Sequence, residues 1–429
     1  MATATSLPPL SGSESTYAAR VSPTLAAGAD LDARRRRGER LLPMAFGEAG
    51  LPVLPVLGRA LADAASCNRY GPVAGHEALR AAAAGYWTRR GLPTDPGMVV
   101  CGPGSKALLF GLLTGMDGDI AIPRPSWVSY AAQALLTGRR PVYVDACFPG
   151  GGVPDPGGLA AAVKSARSAG RRIAAVIVTL PDNPTGTLAT APLLRDLCAV
   201  AERHDLLIIS DEIYRDLVYE PRSFVSPAEL LPDRTVITSG LSKNLALGGW
   251  RLGVARMPSA SLRDRLLAVA SEIWSAPAGP VQEAAAVAFA EGPEVSERIR
   301  VSRSLHARVC RAVASALADA GILVPEPQGA FYVYPDFGAH REKLRKRHGV
   351  TTGAGLAALL LSRYGIGVLA GSAFGEPEES LCLRLATSCL YGSAEAEQEA
   401  ALAARDPLAL PWIADAMSWL TESIADIIG

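Results

Sequence analysis

The chain has 429 residues, with 42 basic and 42 acidic side chains, so no net field draws it toward nucleic acid or an anionic membrane surface. Hydrophobic residues make up 49% and charged residues 20%, the balance of a globular protein long enough for two domains. Small molecules and copies of the same chain are the partners this composition favours. The opening MATATSLPPLSGSEST has no basic segment leading into an apolar one, which argues against a signal peptide, and no apolar run reaches membrane-spanning length. The seven cysteines include no C-x-x-C pair and mostly sit in apolar runs. They read as reduced thiols rather than disulfides or zinc ligands, and the expected compartment is cytoplasmic.

Residues 1–15 read as a flexible segment, and 16–60 as an N-terminal arm that begins a smaller domain. Within the arm, SPTLAAGADLDARRRRGER predicts a helix with Ser22 as N-cap, Pro23 in the first turn, Arg34–Arg37 in the last and Gly38 closing it. Cations there complement the helix dipole, a plainer reading than a nucleic-acid arm. A larger domain is expected over 61–300. It opens with a helix at GHEALRAAAAGYWTRRG (75–91), then a strand, glycine turn and helix at MVVCGPGSKALLFGLLTG. Short β-branched runs follow at 140–146, 174–180, 206–210 and 235–240, alternating with helical stretches at 157–170 and 190–205. That alternation predicts βαβ crossovers and an α/β fold with a mainly parallel central sheet flanked by helices. After about residue 255 the pattern is mostly helical. A smaller α+β domain is expected over 301–429, with short strands in GAFYVYPDF, GIGVLAGSAFG and LCLRLATS and a closing amphipathic helix at PWIADAMSWLTESIADI.

Ligands of open α/β sheets bind beyond the carboxyl ends of the strands, so the residues that follow each strand carry the functional argument. Gly102, Gly104, Ser105 and Lys106 lead into a helix, where backbone N–H groups and the helix dipole suit an anion, although such a glycine turn is a weak signal alone. Asp182, Asn183, Pro184, Thr185 and Gly186 follow the next strand and also read as an ordinary turn. Asp211 emerges from the apolar run LLIIS with Tyr214 three residues on. A buried carboxylate requires a partner, and a cation in the same cleft is the natural one. Lysine is scarce, with five in the chain, yet Lys243 sits just past the apolar strand TVITSG. A lysine in a partly dry site near other cations has a lowered pKa and forms Schiff bases. Arg251, eight residues further on, is placed to return to the same cleft as a phosphate ligand.

Together these residues describe a phosphate cradle, a carboxylate for a ring nitrogen, a phenol and an imine-forming amine. SGLSKNLALGGWRLG resembles the lysine motif of class I/II aminotransferases, enzymes of fold type I that depend on pyridoxal 5′-phosphate (PLP). NRYGPVAGHEALR, GPGSKALLF, PRPSWVSY, LPDNPTGT, SDEIYRDLVY, GAFYVYP and LCLRLATS match further landmarks of that family, in its order, from Leu41 to about residue 390.

The resemblance implies that 61–300 is the PLP-binding domain and that Lys243 holds PLP as an internal aldimine and moves the Cα proton. Asp211 would pair with the pyridine nitrogen, Tyr214 and Asn183 would bond the ring oxygen, and Trp127 would stack on the ring. Gly104, Ser105, Lys106, Ser242 and Arg251 would hold the phosphate, and Tyr70 would reach the phosphate of a neighbouring subunit, implying a homodimer with shared active sites. Arg384 would clamp the substrate α-carboxylate, assisted by Asn183 and the backbone near Gly47.

Two departures stand out. The family's early G-x-P-D-F segment reads FGEAGLPVLP here, and 271–285 has no arginine to meet an acidic side chain, which argues against aspartate or glutamate as the favoured donor. Amino transfer between an α-amino acid and a 2-oxo acid is the leading expectation. Elimination or replacement, cyclisation, or oxidation in specialised metabolism is the alternative on the same residues. A non-catalytic PLP-binding regulator is less favoured, since fewer than fifty residues precede the first core segment.

Overall fold

The predicted alternation of strand and helix resolves into one large sheet and two small ones in a computed structural model that describes residues 21–147 and 150–429. The strands, in chain order, are β1 (Leu42–Pro43), β2 (Val99–Gly102), β3 (Asp119–Arg124), β4 (Pro141–Asp145), β5 (Ile173–Thr179) and β6 (Leu207–Asp211). They continue with β7 (Thr235–Gly240), β8 (Gly253–Arg256), β9 (Tyr332–Val333), β10 (Ile366–Gly367), β11 (Leu369–Ala370) and β12 (Leu383–Ala386). The large sheet has seven strands in the order β2-β8-β7-β6-β5-β3-β4. The pairs from β4 through β7 are parallel, and only β8 runs against its neighbours β7 and β2.

The apolar runs are uninterrupted because both faces of this sheet are covered. Side chains alternate across a strand, and β5 shows it. Val176 and Val178 pack with Leu159, Val163 and Leu194 of the helices Pro156–Ser168 and Ala191–His204. Ala175 and Ile177 pack on the opposite face with Leu108 and Leu112 of the helix Ser105–Thr114. Each such fully buried aliphatic side chain contributes roughly 1.5–3 kcal/mol, which fixes the strand ends that carry the site.

Two strands of the large sheet escape the sequence reading. β3 contains Pro123, a residue that argues against an interior strand, and β8 is four residues long, squeezed between a loop and Pro258.

The small sheets are β11-β12-β9, antiparallel, and the parallel pair β1-β10. The helix Pro411–Ile428 joins the same core with Ile413, Leu420, Ile424 and Ile427. The boundary expected at 300 falls inside the continuous helix Pro293–Asp319. Early in the chain, the helix Pro23–Arg36 carries Arg34–Arg36 in its last turn, Arg37 caps it, and Gly38 follows with a φ of 82°. Ser22 makes no side-chain capping bond. Arg34, Arg35 and Arg37 are occupied by Asp30, Asp32 and Glu39, the solvated ion pairs of a structural helix. The segment 1–15, and the arm up to residue 20, lie outside the described residues. Among the described residues the cysteines are free thiols, and no helix is long and apolar enough to cross a membrane.

Candidate active site

Sheet register brings the predicted residues to one edge. Thr179 pairs with Asp211, Asp211 with Thr238, and Gly253 with both Gly240 and Gly102. The carboxyl ends of β2, β5, β6 and β7 are therefore level with the start of the antiparallel β8, just after Arg251. The loops leaving that edge enclose a cavity of about 480 Å³. Its walls include Gly47, Ser105, Lys106, Trp127, Asn183, Asp211, Tyr214, Ser242, Lys243, Arg251 and Arg384. Gly104 lies directly behind. Tyr70 lies away from the cavity and is 95% exposed.

One end is built for an anion. The helix Ser105–Thr114 starts at the cavity with Gly104 at its N-cap and no side chain bonded to its first N–H groups. A Cβ on Gly104, whose φ is 89°, would lie 2.3 Å from Nη2 of Arg251. A Cβ on Gly253 would lie 2.4 Å from the backbone nitrogen of Ser105. Any other residue at either position would fill the cradle, so glycine leaves the helix N-terminus and the guanidinium open together. Arg251 is itself left-handed (φ 54°) and steadied by the carbonyl of Gly248 at 2.8 Å. Burial and the Arg251 charge push the pKa of Lys106 down, and its ammonium lies 5.0 Å from the Trp127 ring.

At the middle, Asp211 is 2% exposed. It accepts hydrogen bonds from Tyr130 at 2.9 Å and from the Ile213 N–H at 3.4 Å, with no cation among its partners. Burial raises its pKa to about 6 against those bonds. A carboxylate held this dry by neutral donors is arranged to receive a cationic N–H. Lys243 donates to the carbonyl of Gly47 at 2.5 Å. Burial first, then the Arg384 charge, lower its pKa to about 8, while Glu48 opposes the shift. The amine is thereby far nearer its neutral, nucleophilic form at neutral pH than an ordinary lysine.

At the other end Arg384, in β12, is 1% exposed. Nη1 donates to Oδ1 of Asn183 at 3.2 Å and Nη2 to the carbonyl of Ala45 at 2.5 Å, while Nε is buried without a partner. The guanidinium lies 4.8 Å from the Tyr332 ring and 5.0 Å from that of Phe374. The hydroxyls of Tyr214 and Tyr332 are 2.7 Å apart.

Sequence reasoning did not single out Tyr130, which links Asp211 to Thr179 at 2.8 Å, nor Tyr332, although PRPSWVSY and GAFYVYP contain them. It also passed over Thr24, Phe46 and Glu48, and took Ser22 only as a helix cap, although all four line the cavity from the N-terminal side. For Tyr130 the available signal was a phenol three residues past Trp127. For Thr24 there was none, because only the tertiary fold brings the arm to the sheet edge.

Residues 44–398 match the family model described as aminotransferase class I and II. The chain belongs to that family, with the fold-type I architecture, and is an aminotransferase acting on amino-acid and 2-oxo-acid substrates. It is 35% identical to an aspartate/prephenate aminotransferase of Cereibacter sphaeroides over 308 residues, 70% of this chain and 74% of that protein. With an aspartate aminotransferase of Geobacillus stearothermophilus it shares 33% identity over 328 residues, 75% and 80% of the two chains. The solved aspartate aminotransferase from Thermus thermophilus with maleate superposes with a TM-score of 0.79 at 27% identity, covering 95% of this chain and 97% of that one.

Proposed function

We propose that the cavity holds PLP and that Lys243 is both its anchor and the base of the amino transfer. The observation carrying this reading is the convergence on one cavity of an amine of lowered pKa, a buried carboxylate without a cation, an open helix N-terminus and a buried guanidinium. The glycine-framed cradle at Gly104 and Gly253 fits a phosphate, and Asp211 fits a ring nitrogen that carries a proton.

When bound, PLP supplies an electron sink that makes the Cα–H of an amino acid acidic. Ser105, Lys106, Ser242 and Arg251 would hold its phosphate, and Trp127, on the same wall, would meet its ring. Asn183 already accepts from Arg384 through Oδ1, so its NH₂ is the end left to donate to the ring oxygen. Tyr332 donating to Tyr214 leaves the Tyr214 hydroxyl free to donate to the same oxygen. Arg384 presents its unpartnered Nε and fork to the substrate α-carboxylate, with Asn183 and the Gly47 segment beside it. Lys243, as the neutral amine, would take the proton from the substrate Cα and hold it.

Tyr70, exposed in the single chain, is left to reach the phosphate of a second copy, so the working form is a homodimer with shared active sites. Residues 61–300 form the PLP-binding domain, 16–60 and 301–429 supply the smaller one, and the enzyme works in the cytoplasm. Incubating the purified holoenzyme with an amino-acid panel, without an acceptor, tests the reaction by mass spectrometry. Stoichiometric pyridoxamine phosphate and the matching 2-oxo acid are expected. Eliminated, ring-closed or oxidised products with PLP regenerated would overturn amino transfer and leave the cofactor assignment standing.

A further inference from the structure

Among the described residues, the charged groups on the cavity wall are Glu48, Lys106, Asp211, Lys243, Arg251 and Arg384. On the reading above, five of them have tasks, at the phosphate, the ring nitrogen, the reactive amine and the α-carboxylate. Glu48 has none. Its carboxylate is exposed at the cavity and makes no ion pair or hydrogen bond among the described residues.

The backbone beneath that carboxylate is firmly held. The preceding carbonyl, of Gly47, binds Lys243, and that of Ala45 binds Arg384. The Glu48 carbonyl itself accepts from the Ser388 hydroxyl, and its N–H donates to Phe46 at 3.1 Å. The segment is thus pinned by Lys243 and Arg384, and Glu48 lines the same cavity as both, close enough to Lys243 to oppose the lowering of its pKa. On the N-terminal side of the cavity Phe46 adds an aromatic ring, and Thr24 a buried hydroxyl without a partner among the described residues. A carboxylate, a ring and an unsatisfied hydroxyl recognise a cation that donates hydrogen bonds. A distal carboxylate would instead meet like charge, since the cations on the described cavity wall, Lys106, Lys243, Arg251 and Arg384, all have other tasks on the reading above.

We propose that Glu48 selects amino donors with a cationic side chain, a class opposite in charge to the aspartate named for the chain's relatives. The inference rests on the PLP reading and names the substrate class of that site.

The test measures kcat/KM for the half-reaction of the holoenzyme, followed by the cofactor's absorbance, with ornithine, lysine and arginine, their uncharged isosteres norleucine, 2-aminoheptanoate and citrulline, and glutamate. At least one cationic donor should exceed its isostere by about tenfold or more, with glutamate slowest, as expected for a charge-assisted contact. Glu48→Gln should cut that ratio by about tenfold. The wild-type ranking needs no variant, so a misfolded Glu48→Gln leaves the proposal exposed to refutation. Glutamate or aspartate as best donor, or an unchanged ratio in Glu48→Gln, overturns it. If donors still yield 2-oxo acids, amino transfer survives that failure. If a cationic donor changes the absorbance without yielding a 2-oxo acid, amino transfer fails while the selectivity is still read from the ranking.

Discussion

The two halves of the cavity are made differently. The half proposed for the cofactor is laid down by the large sheet: Ser105, Asn183 and Lys243 each follow the carboxyl end of a strand, Asp211 is the last residue of one, and the register levels those ends. The substrate half is assembled from distant pieces, namely Thr24 and the Phe46–Glu48 segment near the start of the chain, Tyr332 in β9 and Arg384 in β12. One hydrogen bond, from Arg384 to Asn183 at 3.2 Å, and another from Lys243 to Gly47 at 2.5 Å, join the halves. A sheet edge fixes the chemistry, whereas the pieces brought to it set which molecule receives that chemistry.

Changes on either side should separate accordingly. Arg384→Lys keeps the charge and loses the planar fork, and should lower kcat/KM by roughly 10–100-fold, mostly through KM, as expected for lost charge-assisted hydrogen bonds. Cofactor uptake should stay near wild type. A fall in PLP affinity of the same size would break the division, showing that Arg384 also supports the cofactor half through Asn183.

A smaller effect sharpens the cofactor side. The amine must be neutral to attack a carbonyl, and burial with the Arg384 charge lowers the Lys243 pKa to about 8. The rate of PLP uptake by the apoprotein should therefore rise about tenfold per pH unit below that value and level off above it. An uptake rate still climbing steeply beyond pH 9 would mean an ordinary lysine.

The same division explains what the sequence revealed. Strand, turn and glycine have a local grammar, so GPGSK, LPDNPTG, SDEIY and the lysine segment could be placed on one edge before any coordinates, and Arg384 followed from the LCLRLATS motif. The contact between Tyr130 and Thr179 was illegible because it joins β5 to a helix residue 49 positions earlier in the chain. Glu48 was visible only as a departure, a glutamate where a family pattern fails, and its position on the cavity wall emerged from the fold. β3 and β8 were lost to Pro123 and to brevity, and the sheet order depends on both.

The central claim is that Lys243, alone among five lysines, carries the cofactor. Reducing the PLP-loaded protein with borohydride and mapping its peptides by mass spectrometry tests this directly. The account predicts a pyridoxyl adduct on Lys243 and on no other lysine, whereas an adduct elsewhere, or none in protein that has taken up PLP, would contradict it.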